Sequence, residues 1–133
     1  MEDYLLVEEV VSVADFIRLR RVSGLSARPE QAVARGLSNS LYGVQIKIGA
    51  ETIAMGRIIG DGGLNFDIVD VAVAPEHQGK GLGRMLMEAL LGYIKANVEP
   101  HAYVTLMADV PSLYEKFGFH YTSPDSEGMY YKW

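Results

Sequence analysis

The sequence predicts a mixed α/β (α+β) fold: a central, mostly antiparallel, twisted β-sheet flanked by helices on both faces. Three observations carry this expectation. Glycine-bearing turns at Gly49-Ala50-Glu51 and Asp61-Gly62-Gly63 divide residues 41–73 into consecutive strand-like runs, as in antiparallel hairpins. Apolar residues at helical spacing flank those runs on both sides. The last run passes through a glycine-rich turn into a long helix and then another strand, the pattern of a parallel crossover.

Taken in order, Tyr4-Leu5-Leu6-Val7 followed by two glutamates reads as a first strand. Ser12 is placed to cap a helix over residues 13–22, because its hydroxyl can accept a first-turn N–H that lacks a helical partner. Ala14, Ile17, Leu19 and Val22 would be partly buried on it, and Gly24 ends it. Pro29 starts a second helix, since its fixed φ suits a first turn; Ala32, Val33, Gly36 and Leu37 would face inward. Residues 41–48 alternate apolar and polar as a half-exposed strand, with 52–59 as its hairpin partner and 64–73 as the next strand. A helix runs from Gly81 to Ala96 and is closed by Asn97 and Pro100. Residues 102–107 form a strand, Pro111 opens a short helix to Lys116, and Gly118 breaks it. Met129-Tyr130-Tyr131-Lys132-Trp133 has strand composition.

These elements fit one domain over residues 1–133, a length that supports one core. A net charge of −5 argues against a nucleic-acid partner, which would demand a basic stripe, and suits a cationic amine. With no cysteine there is no disulfide, thiolate ligand or thiol nucleophile. His101 and His120 stand apart without metal-ligand spacing, so no metal is expected. The segment from Met1 to Tyr4 lacks the basic start and apolar stretch of a secretory leader. No apolar run approaches the roughly 18 residues that span a bilayer. A cytoplasmic location without a membrane partner is the expectation.

Most functional information lies between Val69 and Arg84. A β-branched strand stops at Pro75, turns through glycines, and enters a helix with Leu82, Met85, Leu86, Ala89 and Leu90 on one stripe. Such a turn aims several unpaired N–H groups at one point, where the helix dipole adds roughly half a positive charge. The physical inference is a diphosphate site. A magnesium-dependent nucleotide loop would need Ser or Thr after Gly-Lys, and neither occurs here. The spacing of Gly79, Gly81 and Gly83 also fails the dinucleotide fingerprint.

Gln78-x-x-Gly81-x-Gly83 resembles the acyl-CoA signature of the Gcn5-related N-acetyltransferase (GNAT) family, and Asp70-Val-Ala-Val-Ala-Pro-Glu resembles the strand before it. Downstream, Leu113-Tyr-Glu-Lys-Phe-Gly-Phe119 resembles the family's second motif, a helix bearing a tyrosine and then a Gly-Phe that opens a late strand. The motifs occur in family order, and the resemblance covers most of the chain. It implies the GNAT acyl-CoA N-acyltransferase fold in a small single-domain bacterial branch. The implied co-substrate is acetyl-CoA, and the implied reaction moves an acetyl group to a primary amine of a small molecule or peptide by direct attack in a ternary complex.

On this resemblance, Gln78, Gly79, Lys80, Gly81, Leu82, Gly83 and Arg84 anchor the diphosphate, mainly through main-chain N–H groups. Lys80 and Arg84 either add charge there or are solvated cations. Val71, Ala72 and Val73 offer backbone groups to the pantetheine arm from a strand splayed away from its neighbour, with an N–H near Val71 facing the thioester carbonyl. Tyr114 is implied as the general acid; a phenol near pKa 10 reprotonates a thiolate near about 8.5 at an uphill cost of roughly 2 kcal/mol. Met107 stands where the family often has a cofactor-contacting asparagine, so Asp109 or Ser112 would take that contact. Asp70 is the implied catalytic carboxylate. A carboxylate near pKa 3.9 is a poor direct base for an ammonium near about 10, a gap of roughly 8 kcal/mol, so it would orient the amine or relay through water. Asp67 is the alternative.

Arg20, Tyr42 and Asp67 are expected at the acceptor pocket. Arg18, Arg20 and Arg21 either bind a substrate carboxylate or phosphate or form a solvated helix face, and His77 is expected on the solvent side of its turn. Two rivals stay open: a non-catalytic acyl-CoA-binding sensor or interaction module, which would lack both Tyr114 and Asp70, and a fragment that binds ATP with magnesium. The aromatic run Tyr130, Tyr131 and Trp133 on a terminal strand edge makes a homodimer the expected assembly.

Overall fold

A computed structural model describes residues 3–133; Met1 and Glu2, part of the segment without leader character, lie outside it. The elements in order are β1 (Tyr4–Val7), α1 (Val13–Val22), α2 (Glu30–Leu37), β2 (Tyr42–Ile48), β3 (Glu51–Gly60), β4 (Asn65–Val73), α3 (Leu82–Asn97), β5 (Tyr103–Leu106) and α4 (Pro111–Glu115), with a 3-10 turn at Pro75–His77. One five-stranded sheet runs β1-β2-β3-β4-β5. Its first four strands are antiparallel neighbours, and β5 joins β4 in parallel. The parallel step requires the α3 crossover, because a tight turn cannot return a strand in the same direction.

Adjacent residues of one strand show the two covered faces. A side chain at Gly56 would start 3.1 Å from Leu90 Cδ1 of α3. At the next residue, Arg57 places its guanidinium 5.9 Å from the centre of the Phe16 ring of α1. Successive strand side chains point to opposite faces, so α3 covers one face and α1 with α2 the other. The core gathers Leu86, Met87 and Leu90 with Val44, Ile46, Ile53 and Ile58, all nearly or fully buried.

The caps follow local chemistry. Ser12 Oγ accepts the Asp15 N–H at 3.1 Å and starts α1, as its position predicts. Asp61 Oδ1 accepts the N–H groups of Gly63, Leu64 and Asn65 and clamps the β3–β4 turn. Those three donors hold the Asp61 carboxyl down at about 2.

Several expectations need correction. Residues 43–46 of β2 are buried on both faces rather than alternating, because Gly43 lies against Val10 on the face away from α3 and Gln45 bonds to Thr52. Pro29 sits just before α2, whose first residue is Glu30, and Ala32 on that helix is exposed. Ala14 and Val22 are exposed on α1, while Phe16 is its buried anchor. Neither Phe119 nor residues 129–133 belong to a strand. A strand needs a hydrogen-bonding neighbour, and none is paired with these residues.

Candidate active site

β4 changes partners along its length, and the site grows from that change. Residues Asn65–Ile68 pair with Tyr103–Leu106 of β5, and the pairing stops at Ile68 and Leu106. On its other side, β4 carries a bulge: Met55 faces Ala72 and Arg57 faces Val69, so Asp70 and Val71 together oppose Gly56. Asp70 takes φ +58, in the left-handed region that aspartate tolerates better than most residues. A bulge bends its strand and sharpens the twist. Here it accompanies the parting of β4 from β5, which leaves residues 69–73 of β4 without a neighbour on that side. The splay expected from the family resemblance is therefore present.

At the far end of the splay lies the amide cradle. After the 3-10 turn, Gly79 and Gly81 take φ +76 and +81, a conformation that a β-carbon would strain. Gly81 is the residue before α3, and among the described residues no side chain caps that helix. The first-turn N–H groups of a 16-residue helix therefore point into the turn with the positive end of the dipole. Nothing lies within 4 Å of where a β-carbon at Gly79, Gly81 or Gly83 would stand, so the approach to these amides is open. The donor set fits a diphosphate. Gln78 uses its side chain internally, its Nε2 donating to Val73 O at 3.0 Å, which ties the turn to the end of β4. Arg84 is exposed and pairs with Glu88 one helical turn on at 3.5 Å.

At the near end, a cavity of about 160 Å3 is lined by Asp67, Asp70, Val71, Met107, Asp109 and Tyr114, with Arg20 and Leu25 from the α1 side. Tyr114 is half-buried and packs edge-on to Phe119, and its hydroxyl has no hydrogen bond among the described residues. Burial, and then the charge of Asp109, push its phenol above the ordinary value, so it stays protonated through the neutral range. Asp67 receives Thr105 Oγ1 at 3.2 Å. Burial raises its carboxyl above the usual range, and the nearby charge of Asp70 adds to that, while Thr105 opposes it.

Asp70 is held differently. Its Oδ1 receives Arg20 Nη1 at 2.6 Å and its Oδ2 receives Arg57 Nε at 2.7 Å. All three side chains are largely buried. Arg20 also donates to Ser26 O and Ser26 Oγ, and Arg57 to Gly36 O and Ser40 Oγ. Burial, followed by the charge of Arg28, pulls the Arg20 guanidinium below its ordinary value, and Asp70 opposes this. The expected roles of Asp70 as the catalytic carboxylate and of Arg20 as a substrate anchor thus meet a geometry in which each is committed to the other. Arg57 was not anticipated. Its signal was one charge inside the apolar run Ile53-Ala-Met-Gly-Arg-Ile-Ile59, which demands a buried counter-ion.

The remaining expected residues divide. Asp109 lines the cavity; Ser112 is exposed on α4 and does not. Tyr42 lies on the α3 face, where it stacks on Tyr93 at 4.8 Å and donates to Glu8 at 2.7 Å, away from the cavity. Arg18 is tied to Asp15 and Thr52 O. His77 is half-buried, with Nδ1 2.8 Å from Tyr4 Oη, rather than a solvent-side residue. Arg21 is exposed, as on a solvated helix face.

An open turn of unpaired amides, a splayed strand and a tyrosine at the fork are the features an acyl-CoA-dependent transferase requires. The chain belongs to the GNAT family: residues 41–121 match its acetyltransferase domain, and the chain is an acetyltransferase. Members of the family use acetyl-CoA. Among relatives, it is 30% identical to the uncharacterized N-acetyltransferase ycf52 of Gracilaria tenuistipitata var. liui, over 96% of this chain and 72% of that one. It is 31% identical to the histone acetyltransferase TAP1 of Glycine max, over 91% of this chain and 57% of that one. The crystal structure of SA2161 from meticillin-resistant Staphylococcus aureus, described as a probable acetyltransferase, is 41% identical. It covers 98% of this chain and 100% of its own, with a TM-score of 0.92.

Proposed function

We propose that this chain, acting as one domain over residues 1–133, moves the acetyl group of acetyl-CoA to a primary amine of a small molecule or peptide by direct attack in a ternary complex. The cytoplasm is the proposed location and a homodimer the proposed assembly. The observation that carries the reaction is the convergence of the strand splay, Asp67 and Tyr114 on one small cavity, with the amide turn beyond the other end of the unpaired stretch of β4.

Acetyl-CoA would supply an activated acyl carbon and a thiol leaving group. Main-chain N–H groups of residues 79–84 would hold its diphosphate, and the unpaired edge of Val71, Ala72 and Val73 its amide-bearing arm. An N–H near Val71 would face the thioester oxygen and stabilise the charge that develops there. Tyr114 keeps its proton at neutral pH and has no competing hydrogen bond, so it is available to donate to the departing sulfur. Of the two aspartates, Asp67 is the better proton acceptor: its carboxyl is raised toward the amine's range, and among the described residues only Thr105 bonds to it. Asp70 serves as a positioning residue that fixes the bulge. Asp67 and Asp109 on the cavity wall favour an acceptor that arrives as a cation.

The test is thiol release from acetyl-CoA with a panel of amines. Amine-dependent release above the hydrolysis background supports the proposal. Tight binding of coenzyme A without such release favours the non-catalytic binding module, and affinity for ATP with magnesium alone favours a nucleotide site.

A further inference from the structure

The small cavity has walls of opposite sign. Asp67 and Asp109 stand on one wall, and Arg20 with Leu25 on the α1 side. Around the second wall the arginines outnumber their counter-ions. Residues 13–40, which build α1, α2 and their connection, hold five arginines and two acids, although the whole chain carries a net charge of −5. The guanidiniums of Arg20, Arg28 and Arg57 are linked by hydrogen bonds through Asp70 and Ser26. Among the described residues, Asp70 is the one carboxylate in ion-pair reach of the three. Positive charge in this cluster therefore exceeds what its fixed partner neutralises.

Arg28 is the open member. It is exposed in the α1–α2 connection, three residues beyond Leu25 of the cavity wall. Its Nη1 donates to Ser26 Oγ, the same oxygen that receives Arg20 Nη2 at 3.1 Å, and to Ala27 O at 3.4 Å. The Arg28 guanidinium thus stands two hydrogen bonds from that of Arg20, which lines the cavity. Its Nε and Nη2 make no hydrogen bond among the described residues. Those two nitrogens carry the parallel N–H pair that grips both oxygens of a carboxylate or phosphate. Anchoring through Nη1 reduces the side-chain freedom that such a contact would otherwise cost. Burial, and then the charge of Arg28, pull the Arg20 guanidinium below its ordinary value although Asp70 opposes them. An anion beside Arg28 would relieve that repulsion.

We propose that the acceptor is an amine that also bears an oxyanion, a carboxylate or a phosphate, with its nitrogen at Asp67 and its oxyanion on the Nε–Nη2 fork of Arg28. A diamine would suit the acidic wall at one end and meet like charge at the other. An uncharged tail would leave the fork to water. The placement of the amine rests on the acetyl-transfer reading; the anion fork does not, and one arm of its test needs no turnover.

Matched acceptors supply the first arm: β-alanine against β-alaninamide, and 2-aminoethyl phosphate against 2-aminoethanol. The acid-bearing member should be preferred by about tenfold or more in kcat/KM, as a charge-assisted pair of hydrogen bonds allows. The pair with the larger ratio tells carboxylate from phosphate. Arg28→Ala should erase the preference, and Arg28→Lys, which keeps the charge without the fork, should keep part of it. The second arm is nitrogen-15 resonance of the full chain. The Arg28 Nε–H signal, assigned by its loss in Arg28→Lys, should shift saturably with β-alanine or 2-aminoethyl phosphate and not with their neutral counterparts. The signal of Arg21, exposed on α1, should stay in place. An Arg28 signal that ignores both acids overturns the proposal, as does an equal shift at Arg21, the mark of loose ion binding. Equal kcat/KM within both pairs, or a preference that survives Arg28→Ala, also overturns it. A saturable shift confined to Arg28, with no amine acetylated, supports the anion site and overturns the transfer reading instead.

Discussion

Arg20 of α1 reaches across to β4 and meets Asp70 at 2.6 Å, and this pair, with Arg57 on the other carboxylate oxygen, pins the left-handed residue of the bulge. Asp70, expected to orient the amine or relay through water, braces the α1–α2 face against the splayed strand. Removing one member of a buried ionic cluster strands the others without compensation, at about 3–5 kcal/mol. Asp70→Ala is expected to lose that much in urea unfolding. Asp70→Asn, which tolerates the same φ and keeps one acceptor, should lose less. Its kcat–pH profile should keep the wild-type shape; loss of the acidic limb in Asp70→Asn would return the base role to Asp70.

Asp67 offers a test of opposite sign. Burial raises its folded pKa above the unfolded value of about 3.9. Its favourable contribution is therefore complete below about pH 3.9 and is lost as pH rises through the folded value. At pH 7 the ionised carboxylate opposes folding. Asp67→Asn should be more stable than wild type to urea at pH 7, with the difference fading toward pH 3.5. The same variant should lose about 100-fold in kcat, the low end of general acid–base contributions. A stabilised variant with full activity would remove Asp67 from the reaction.

Tyr114→Phe keeps the packing against Phe119 and deletes only the hydroxyl. The expected result is a fall in kcat of about 100-fold with an unchanged KM for acetyl-CoA. Steady-state kinetics decides this. A rise in KM with kcat intact would make the hydroxyl a binding group.

Gly81→Val places a β-branched residue at φ +81, a genuine outlier for that side chain, although the surrounding space is open. The turn should rotate its N–H groups out of register. Calorimetry is expected to show at least a tenfold loss in affinity for coenzyme A. Turnover of S-acetylpantetheine, which lacks the diphosphate, should be unaffected; equal losses for both would place the defect outside the cradle.

The sheet and the long helix were legible because their signals are local. Gly62 and Gly63 mark a turn, and Leu82, Leu86 and Leu90 share one helical stripe that the structure buries. The double-sided burial of β2 was not legible, because Gly43 and Gln45 break the apolar pattern yet are covered by the chain around Val10 and by Thr52. The bulge was equally hidden. Its left-handed residue is an aspartate rather than a glycine, and the arginines that hold it come from α1 and β3. Motif position brought Asp70 and Asp67 to attention together; only long-range pairing separates a brace from an open carboxylate. Composition made 129–133 strand-like, yet the segment is not a strand, because composition does not supply the neighbour that a strand requires.

The parting of β4 from β5 carries a consequence for how this enzyme can change. Every amino acid except proline brings the same amide to that cleft. Substitutions among apolar residues at Val71, Ala72 and Val73 leave the donors and acceptors in place, so on the proposed reading drift there is nearly silent toward the carrier molecule. On the proposed reading, variation that alters the acceptor can accumulate on α1 and the α1–α2 connection around Leu25, while the proposed grip on coenzyme A stays constant.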